Sequence, residues 1–317
     1  MHSRQSKYWI ILLGCLILLS SVKLTGVILD KKAEQASLSL YAHDQNGVIE
    51  GLQSISILQE KKRAILFVHG FLDTPELFLD LVHDIKNKVN SDIYVPLLPF
   101  HGRDLTAASQ FNNQVILNNL DLKISALAKE YESLTVVGMS YGGTLLSTLI
   151  NENKIPDNVQ LILYAPAFFI TTNTHFVRSE ARVYEWWRKY CNYQTLGCIY
   201  PGYQNGDATA KPMFDTEKSL RYTVIPALLQ LYKLDLDERK GFANIHRPYS
   251  LIIAVDDNRV SYADQKAACE ANQPYCHLYS FSSGKHVIHW GANKQPFEKL
   301  LIKLVNAKQI QDKPNDQ

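Results

Sequence analysis

The chain has 317 residues, 46% of them hydrophobic, enough for one large core with an insertion or for two modest domains. Its 33 Lys and Arg offset 31 Asp and Glu, and the basic residues are scattered rather than striped, which argues against a nucleic-acid partner. No internal repeat or low-complexity segment is visible.

The N-terminus departs from this ordinary composition. Arg4 and Lys7 precede an apolar run from Tyr8 to Leu19, with no acid among the first residues. A basic start followed by a hydrophobic stretch reads as a secretory signal or a membrane anchor over residues 1–30, and the positive charges ahead of it put the bulk of the protein outside the cytoplasm. The run is short against the roughly 20 residues that a full span needs. Leu12-Leu13-Gly14-Cys15 is also similar to a lipoprotein cleavage box, so retention as an anchor, cleavage and lipidation at Cys15 all stay open. The expected location is extracytoplasmic, membrane-anchored or secreted, and periplasmic if the source is bacterial. Cys191, Cys198, Cys269 and Cys276 suit such a compartment: two local pairs, Cys191 with Cys198 and Cys269 with Cys276, could close small disulfide loops. No histidine cluster accompanies them, so a zinc site is not indicated.

Residues 37–58 alternate apolar and polar side chains, which predicts half-buried antiparallel strands at a sheet edge. The continuous apolar run 64–68 ends at His69-Gly70 and predicts a strand buried on both faces. A helix is expected from Pro75 to about Val89, with Asp73 or Thr74 as its cap. A short strand at 93–95, a helix over 112–131 and a strand at 134–137 follow.

Gly138-Met139-Ser140-Tyr141-Gly142-Gly143 comes next, between that strand and an apolar helical segment at 144–150. In a strand, sharp turn and helix context, G-x-S-x-G denotes a nucleophile elbow. The flanking glycines are needed because side chains there would collide with the neighbouring strand or helix. Further strands are predicted at 159–164, 249–255 and 276–281. Buried strands alternating with helices imply an α/β fold with a mostly parallel sheet covered by helices on both faces.

The gap from Pro166 to Tyr249 is too long for a connection, since most run about 4 to 6 residues, and so predicts an inserted cap. Phe168, Phe169, Trp186, Trp187, Tyr190, Tyr193, Tyr200, Tyr203, Phe214 and Tyr222 make it rich in aromatics. Most of these would form the cap's own core, and the remainder could line an apolar pocket. The organisation read from the sequence is a signal or anchor at 1–30, a core of 31–166 and 249–308, a cap at 167–248 and a disordered tail at 309–317.

A serine hydroxyl needs a histidine base, and that histidine a carboxylate to fix its tautomer. Asp256 and Asp257 follow the strand at 249–255, and His286 follows Ser282-Ser283-Gly284-Lys285 after the strand at 276–281. Both sites fall at the carboxyl ends of parallel strands, where such sheets bind ligands. Either aspartate could serve, and His289 is an alternative to His286, although it is placed to pack beside Trp290. His69 and His101 read as structural residues that order their loops. Two backbone N–H groups, those of Phe71 and Tyr141, are the candidate oxyanion donors.

These segments resemble the α/β-hydrolases of the monoacylglycerol lipase and bacterial carboxylesterase group over about residues 64–304. Val68-His69-Gly70-Phe71 is similar to that group's oxyanion loop, Leu98-Pro99-Phe100-His101-Gly102 to its L-P-G-H-G, and residues 138–143 to its elbow. Phe100 stands where that motif has glycine. Ile245-His246-Arg247-Pro248 and Asp257-Asn258-Arg259-Val260 resemble its I-x-x-P and D-x-x-V segments, which favours Asp257 as the acid, and His286-Val287-Ile288 matches its terminal histidine motif.

The combined reading is a serine carboxylesterase, with Ser140 as nucleophile, His286 as base and Asp257 as its partner. It needs no metal or organic cofactor. The substrate implied is a monoacylglycerol-like or short lipid ester. An aminopeptidase, a thioesterase or an acyltransferase would use the same three residues, and an aminopeptidase would also need acids such as Glu180, Glu185 and Asp215 to converge on an amine. A non-catalytic binding protein on this fold is the rival from another class.

Overall fold

The computed structural model describes residues 2–40, 42–171, 199–200, 223–242 and 245–307. The tail at 309–317, Cys191, Cys198, Glu180, Glu185, Asp215 and most of the cap aromatics lie outside the described residues. The chain divides into two compact units. One comprises Met1–Glu50, Arg103–Phe111 and Phe176–Leu229; the other comprises Gly51–Gly102, Asn112–His175 and Gln230–Gln317.

In the first unit, helix α1 runs His2–Leu40 and the large apolar side chains from Tyr8 to Leu19 are exposed along it. Among the described residues no helix is long and apolar enough to cross a membrane. Because α1 extends through Leu40, the alternation read from residue 37 onward does not begin as a strand. The isolated bridges His43 to Ile49 and Val48 to Arg103 follow it.

The second unit is built on a seven-stranded sheet. Its strands are β1 (Ile55–Ile57), β2 (Arg63–Val68), β3 (Asp92–Val95), β4 (Ser133–Met139), β5 (Val159–Tyr164), β8 (Tyr249–Ala254) and β9 (Cys276–Phe281). A separate two-stranded pair, β6 (Ile199–Tyr200) with β7 (Thr223–Val224), belongs to the first unit. The order across the large sheet is β1-β3-β2-β4-β5-β8-β9, with β1 antiparallel to β3 and the other pairs parallel. The run 64–68 is buried throughout in β2, as a strand covered on both faces must be.

The helices are α2 (Leu79–Ile85), α3 (Leu105–Ser109), α4 (Asn113–Glu130), α5 (Tyr141–Asn151), α6 (Ile225–Gly241), α7 (Tyr262–Ala271) and α8 (Lys294–Asn306). The helix expected from Pro75 is split: Pro75–Phe78 is a 3-10 turn that leads into α2. Neither Asp73 nor Thr74 caps it with a side chain; Thr74 occupies the cap position without a side-chain bond. On α5, every residue from Tyr141 to Ile150 is buried. Burying a large apolar side chain stabilises by about 1.5–3 kcal/mol, so α5 is fastened firmly to the sheet.

Cys269 at the end of α7 and Cys276 at the start of β9 form a disulfide, with Cα atoms 5.4 Å apart. It closes a short turn beside the strand that leads to His286.

Candidate active site

From β2 the chain passes outward to β3 and then returns to form β4 on the other side of β2. That reversal is a topological switch point, the place at which open α/β sheets bind their ligands beyond the carboxyl ends of the strands. Register makes the alignment close: Val68 pairs with Gly138, and Met139 with Tyr164. His69, Ser140 and Ala165 therefore leave the sheet side by side.

Ser140 has φ 51 and ψ −119, in a region that residues with a side chain rarely adopt. Its neighbours explain how this is held. Ser140 N–H donates to Tyr164 O at 2.9 Å, and Ser140 O accepts from Thr144 N–H at 3.1 Å and from Ala167 N–H at 3.0 Å. A Cβ on Gly142 would lie 2.3 Å from Val68 O, and one on Gly138 would lie 2.7 Å from Gly142 O, so β2, β4 and α5 meet too closely for side chains. The serine is fixed at the tip of a turn that its surroundings over-determine.

Phe71 follows β2 and Tyr141 opens α5, and their rings meet edge to face with centroids 6.0 Å apart. Tyr141 is further anchored by its hydroxyl, which donates to Asn113 Oδ1 at 2.8 Å. Asn113 Nδ2–H in turn donates to Gln230 O at 2.8 Å.

On the far side of β5, Asp257 Oδ2 lies 2.8 Å from His286 Nδ1. A carboxylate can only accept, so Nδ1 carries the proton and Nε2 is the acceptor of the neutral ring. The other oxygen, Oδ1, accepts from Arg259 N–H at 2.8 Å and Val260 N–H at 3.2 Å. Burial alone would raise the Asp257 pKa, but the charge and hydrogen bond of His286 and these two N–H groups outweigh it and hold the carboxyl below its ordinary value. Asp256 is exposed. The loop of Asp257 is tied to the first residues after β5: Ser261 N–H donates to Phe169 O and Thr171 N–H to Arg259 O, each at 2.9 Å. His286 is delivered by a turn at Gly284, which has φ +129 and lies against Asn293.

The profile of the "Alpha/beta hydrolase family" matches residues 65–298, from β2 to the start of α8. The chain belongs to the alpha/beta hydrolase family. No curated protein matches the sequence. Among solved structures, the monoacylglycerol lipase of Paleococcus ferrophilus is similar with a TM-score of 0.63 and 16% identity, covering 80% of this chain and 98% of that one. A soluble variant of the Saccharomyces cerevisiae monoglyceride lipase, solved with a substrate analog, has a TM-score of 0.63 and 12% identity over 84% of this chain and 98% of its own. The esterase EaEST of Exiguobacterium antarcticum has a TM-score of 0.57 and 14% identity over 80% and 95%. At these identities the likeness is one of fold.

His289, His69 and His101 of this alpha/beta hydrolase sit in structural settings. His289 is buried; its Nε2–H donates to Leu77 O and its Nδ1 accepts from the Tyr164 hydroxyl, each at 3.0 Å. It packs beside Trp290 with ring centroids 5.4 Å apart. His69 donates from Nδ1 to Gly70 O at 3.0 Å and accepts at Nε2 from Leu98 N–H at 3.1 Å, tying the β2 loop to the loop after β3. His101 lies edge-on to it with centroids 4.9 Å apart. Desolvation keeps all three neutral, with His101 and His289 lowered to about 4. Phe100, where the resembling motif has glycine, takes φ +69, so that loop keeps a glycine-like bend with a phenylalanine in it.

The sequence offers Asp73 only as a helix cap, whereas the structure places it beside Ser140. Asp73 lies two residues past Phe71, and a Cβ on Gly70 would be 2.3 Å from Asp73 Oδ2 and 3.3 Å from Ser140 Cβ. Both groups crowd the same point. The His-Gly-x-x-Asp spacing on the β2 loop is the signal that could have placed it there. Of the cap aromatics described with their side chains, Phe168 is buried against Phe242 with centroids 4.6 Å apart, and Phe169 carries the Arg239 guanidinium over its ring at 5.3 Å. Among the described residues no group of three His, Cys, Asp or Glu is arranged to hold a metal.

Proposed function

We propose that this alpha/beta hydrolase is a serine carboxylic-ester hydrolase working through an acyl-enzyme. The observation that carries the reading is the strained Ser140 turn at the switch point of a sheet whose later strands lead to the hydrogen-bonded pair His286 and Asp257. His286 Nε2 takes the Ser140 proton as Oγ attacks the ester carbonyl, and Asp257 stabilises the imidazolium. The oxyanion is met by the N–H groups of Phe71 and Tyr141. The imidazolium then protonates the departing alcohol, and His286 activates the water that releases the acid. No metal or organic cofactor is required by these steps.

The substrate class we propose is a monoacylglycerol-like or short lipid ester. Supporting it are the neighbours named as monoacylglycerol and monoglyceride lipases and the aromatic content of residues 167–248. We further propose an extracytoplasmic location, supported by Arg4 and Lys7 ahead of the exposed apolar run and by the Cys269–Cys276 disulfide. Peptide mapping of unreduced native protein should recover that bond; free thiols at both positions would contradict the location.

The enzyme reading is tested with p-nitrophenyl esters of rising acyl length. Catalytic efficiency should climb from acetate through medium chains, by up to about fourfold per methylene given about 0.8 kcal/mol for each one buried. A series that falls from acetate onward, together with rapid cleavage of aminoacyl amides, would favour an aminopeptidase.

A further inference from the structure

Asp73 is placed at the nucleophile by the shape of its loop. Asp73 N–H donates to Gly70 O at 3.3 Å, and Leu72 between them has φ +56, so the chain doubles back and returns the carboxyl over Gly70. The space that a side chain on residue 70 would fill is taken by Asp73 Oδ2, and the same space borders Ser140 Cβ. The carboxyl also feels the charges of His286 and Arg259. Among the described residues no protein group donates a hydrogen bond to its carboxyl. Desolvation, only partly countered by His286 and Arg259, pushes its pKa up to about 6. Part of the residue remains open to solvent, so a donor on a bound ligand can reach the carboxyl where no protein group does.

We propose that Asp73 is a substrate-binding residue whose carboxyl accepts a hydrogen bond from a donor, hydroxyl or ammonium, on the alcohol half of the ester. The inference rests on the ester-hydrolase reading. In that chemistry the acyl oxygen faces Phe71 and Tyr141, and the alcohol oxygen faces His286, from which it receives its proton. Asp73 lies beside Ser140 and within electrostatic reach of His286, so the half of the substrate it meets is the alcohol. Asp73 thereby selects esters of polar alcohols over simple alkyl esters, independently of how the acyl chain is bound.

The test compares kcat/KM for four butyrate esters: propyl, 2-hydroxyethyl, 2-(dimethylamino)ethyl and choline. They present, in turn, no donor, a neutral donor, a protonated amine donor, and a charge without a donor. A hydrogen bond to a charged group is expected to favour a donor-bearing ester over its matched control by about tenfold or more. The pairs are 2-hydroxyethyl against propyl and dimethylaminoethyl against choline, and the larger ratio tells hydroxyl from ammonium recognition. Asp73→Ala should bring the ratio close to one, and Asp73→Asn, which keeps an acceptor oxygen without the charge, should leave an intermediate value. Ratios near one in the unaltered enzyme, or a preference that survives in Asp73→Ala, would overturn the proposal while ester hydrolysis stands. Failure to hydrolyse any of the four would overturn the hydrolase reading and this inference with it.

Discussion

Asp257 Oδ2 sits 2.8 Å from His286 Nδ1, whereas Asp256, one residue earlier on the same loop, is turned out to solvent. The two carboxylates are chemically identical, and only one can orient the imidazole. Asp257→Asn should lower kcat by on the order of a thousandfold or more, because the amide cannot stabilise the imidazolium and favours the wrong tautomer. Asp256→Asn should stay within a few-fold of the unaltered enzyme. Steady-state kinetics on a single p-nitrophenyl ester ranks them, and the reverse order would assign the role to Asp256.

Gly142 meets backbone rather than a yielding side chain: its added Cβ would be 2.3 Å from Val68 O and 2.8 Å from His69 O. Gly142→Ala must displace the end of β2 or the first turn of α5, and overpacking of this kind destabilises by about 1–3 kcal/mol. Denaturant midpoints measure the loss. An alanine variant as stable as the parent would refute the close approach.

Stability should fall as pH drops from 7 to 5. His101 and His289 are neutral in the folded chain down to about 4 and His69 is lowered well below its ordinary 6.5, whereas the unfolded chain protonates each near 6.5. Unfolding in that window therefore takes up protons, and acid favours it. Asp73 works in the opposite sense, since its folded carboxyl takes a proton at about 6 and the unfolded one only near 3.8. The histidines outnumber it, and each net proton contributes up to about 1.4 kcal/mol per pH unit. Urea midpoints that decline from pH 7 to pH 5 are expected; a constant or rising midpoint would mean that these rings are not buried neutral.

The central strands were legible because a strand covered on both faces has few ways to be polar, as Ala64 to Val68 and Leu161 to Tyr164 show. The elbow was legible because its glycines are dictated by backbone contacts that only a strand, turn and helix create. Other elements left weaker marks. Helix α7 turns only Gln265 and Cys269 inward as buried residues, so it carries no apolar stripe, and Gln265 earns its place by donating to Pro166 O and Phe168 O at 2.7 and 3.1 Å. Asp73 fits a helix cap as an acid just before Thr74-Pro75; the turn at Leu72, bonded from Asp73 N–H to Gly70 O, redirects it, and the His69-Gly70-x-x-Asp73 spacing is its only local mark. Asp256 and Asp257 could be ranked by motif alone, but the N–H groups of Arg259 and Val260 that hold Asp257 Oδ1 appear only once the loop is folded.

Whether Ser140 is the nucleophile is tested most directly by reacting the native protein with a fluorophosphonate and mapping the adduct by mass spectrometry. One label per chain is expected, on the peptide bearing Ser140, with both labelling and ester hydrolysis lost in a folded Ser140→Ala variant. A label on a different serine, or ester hydrolysis that persists in Ser140→Ala, would contradict the assignment.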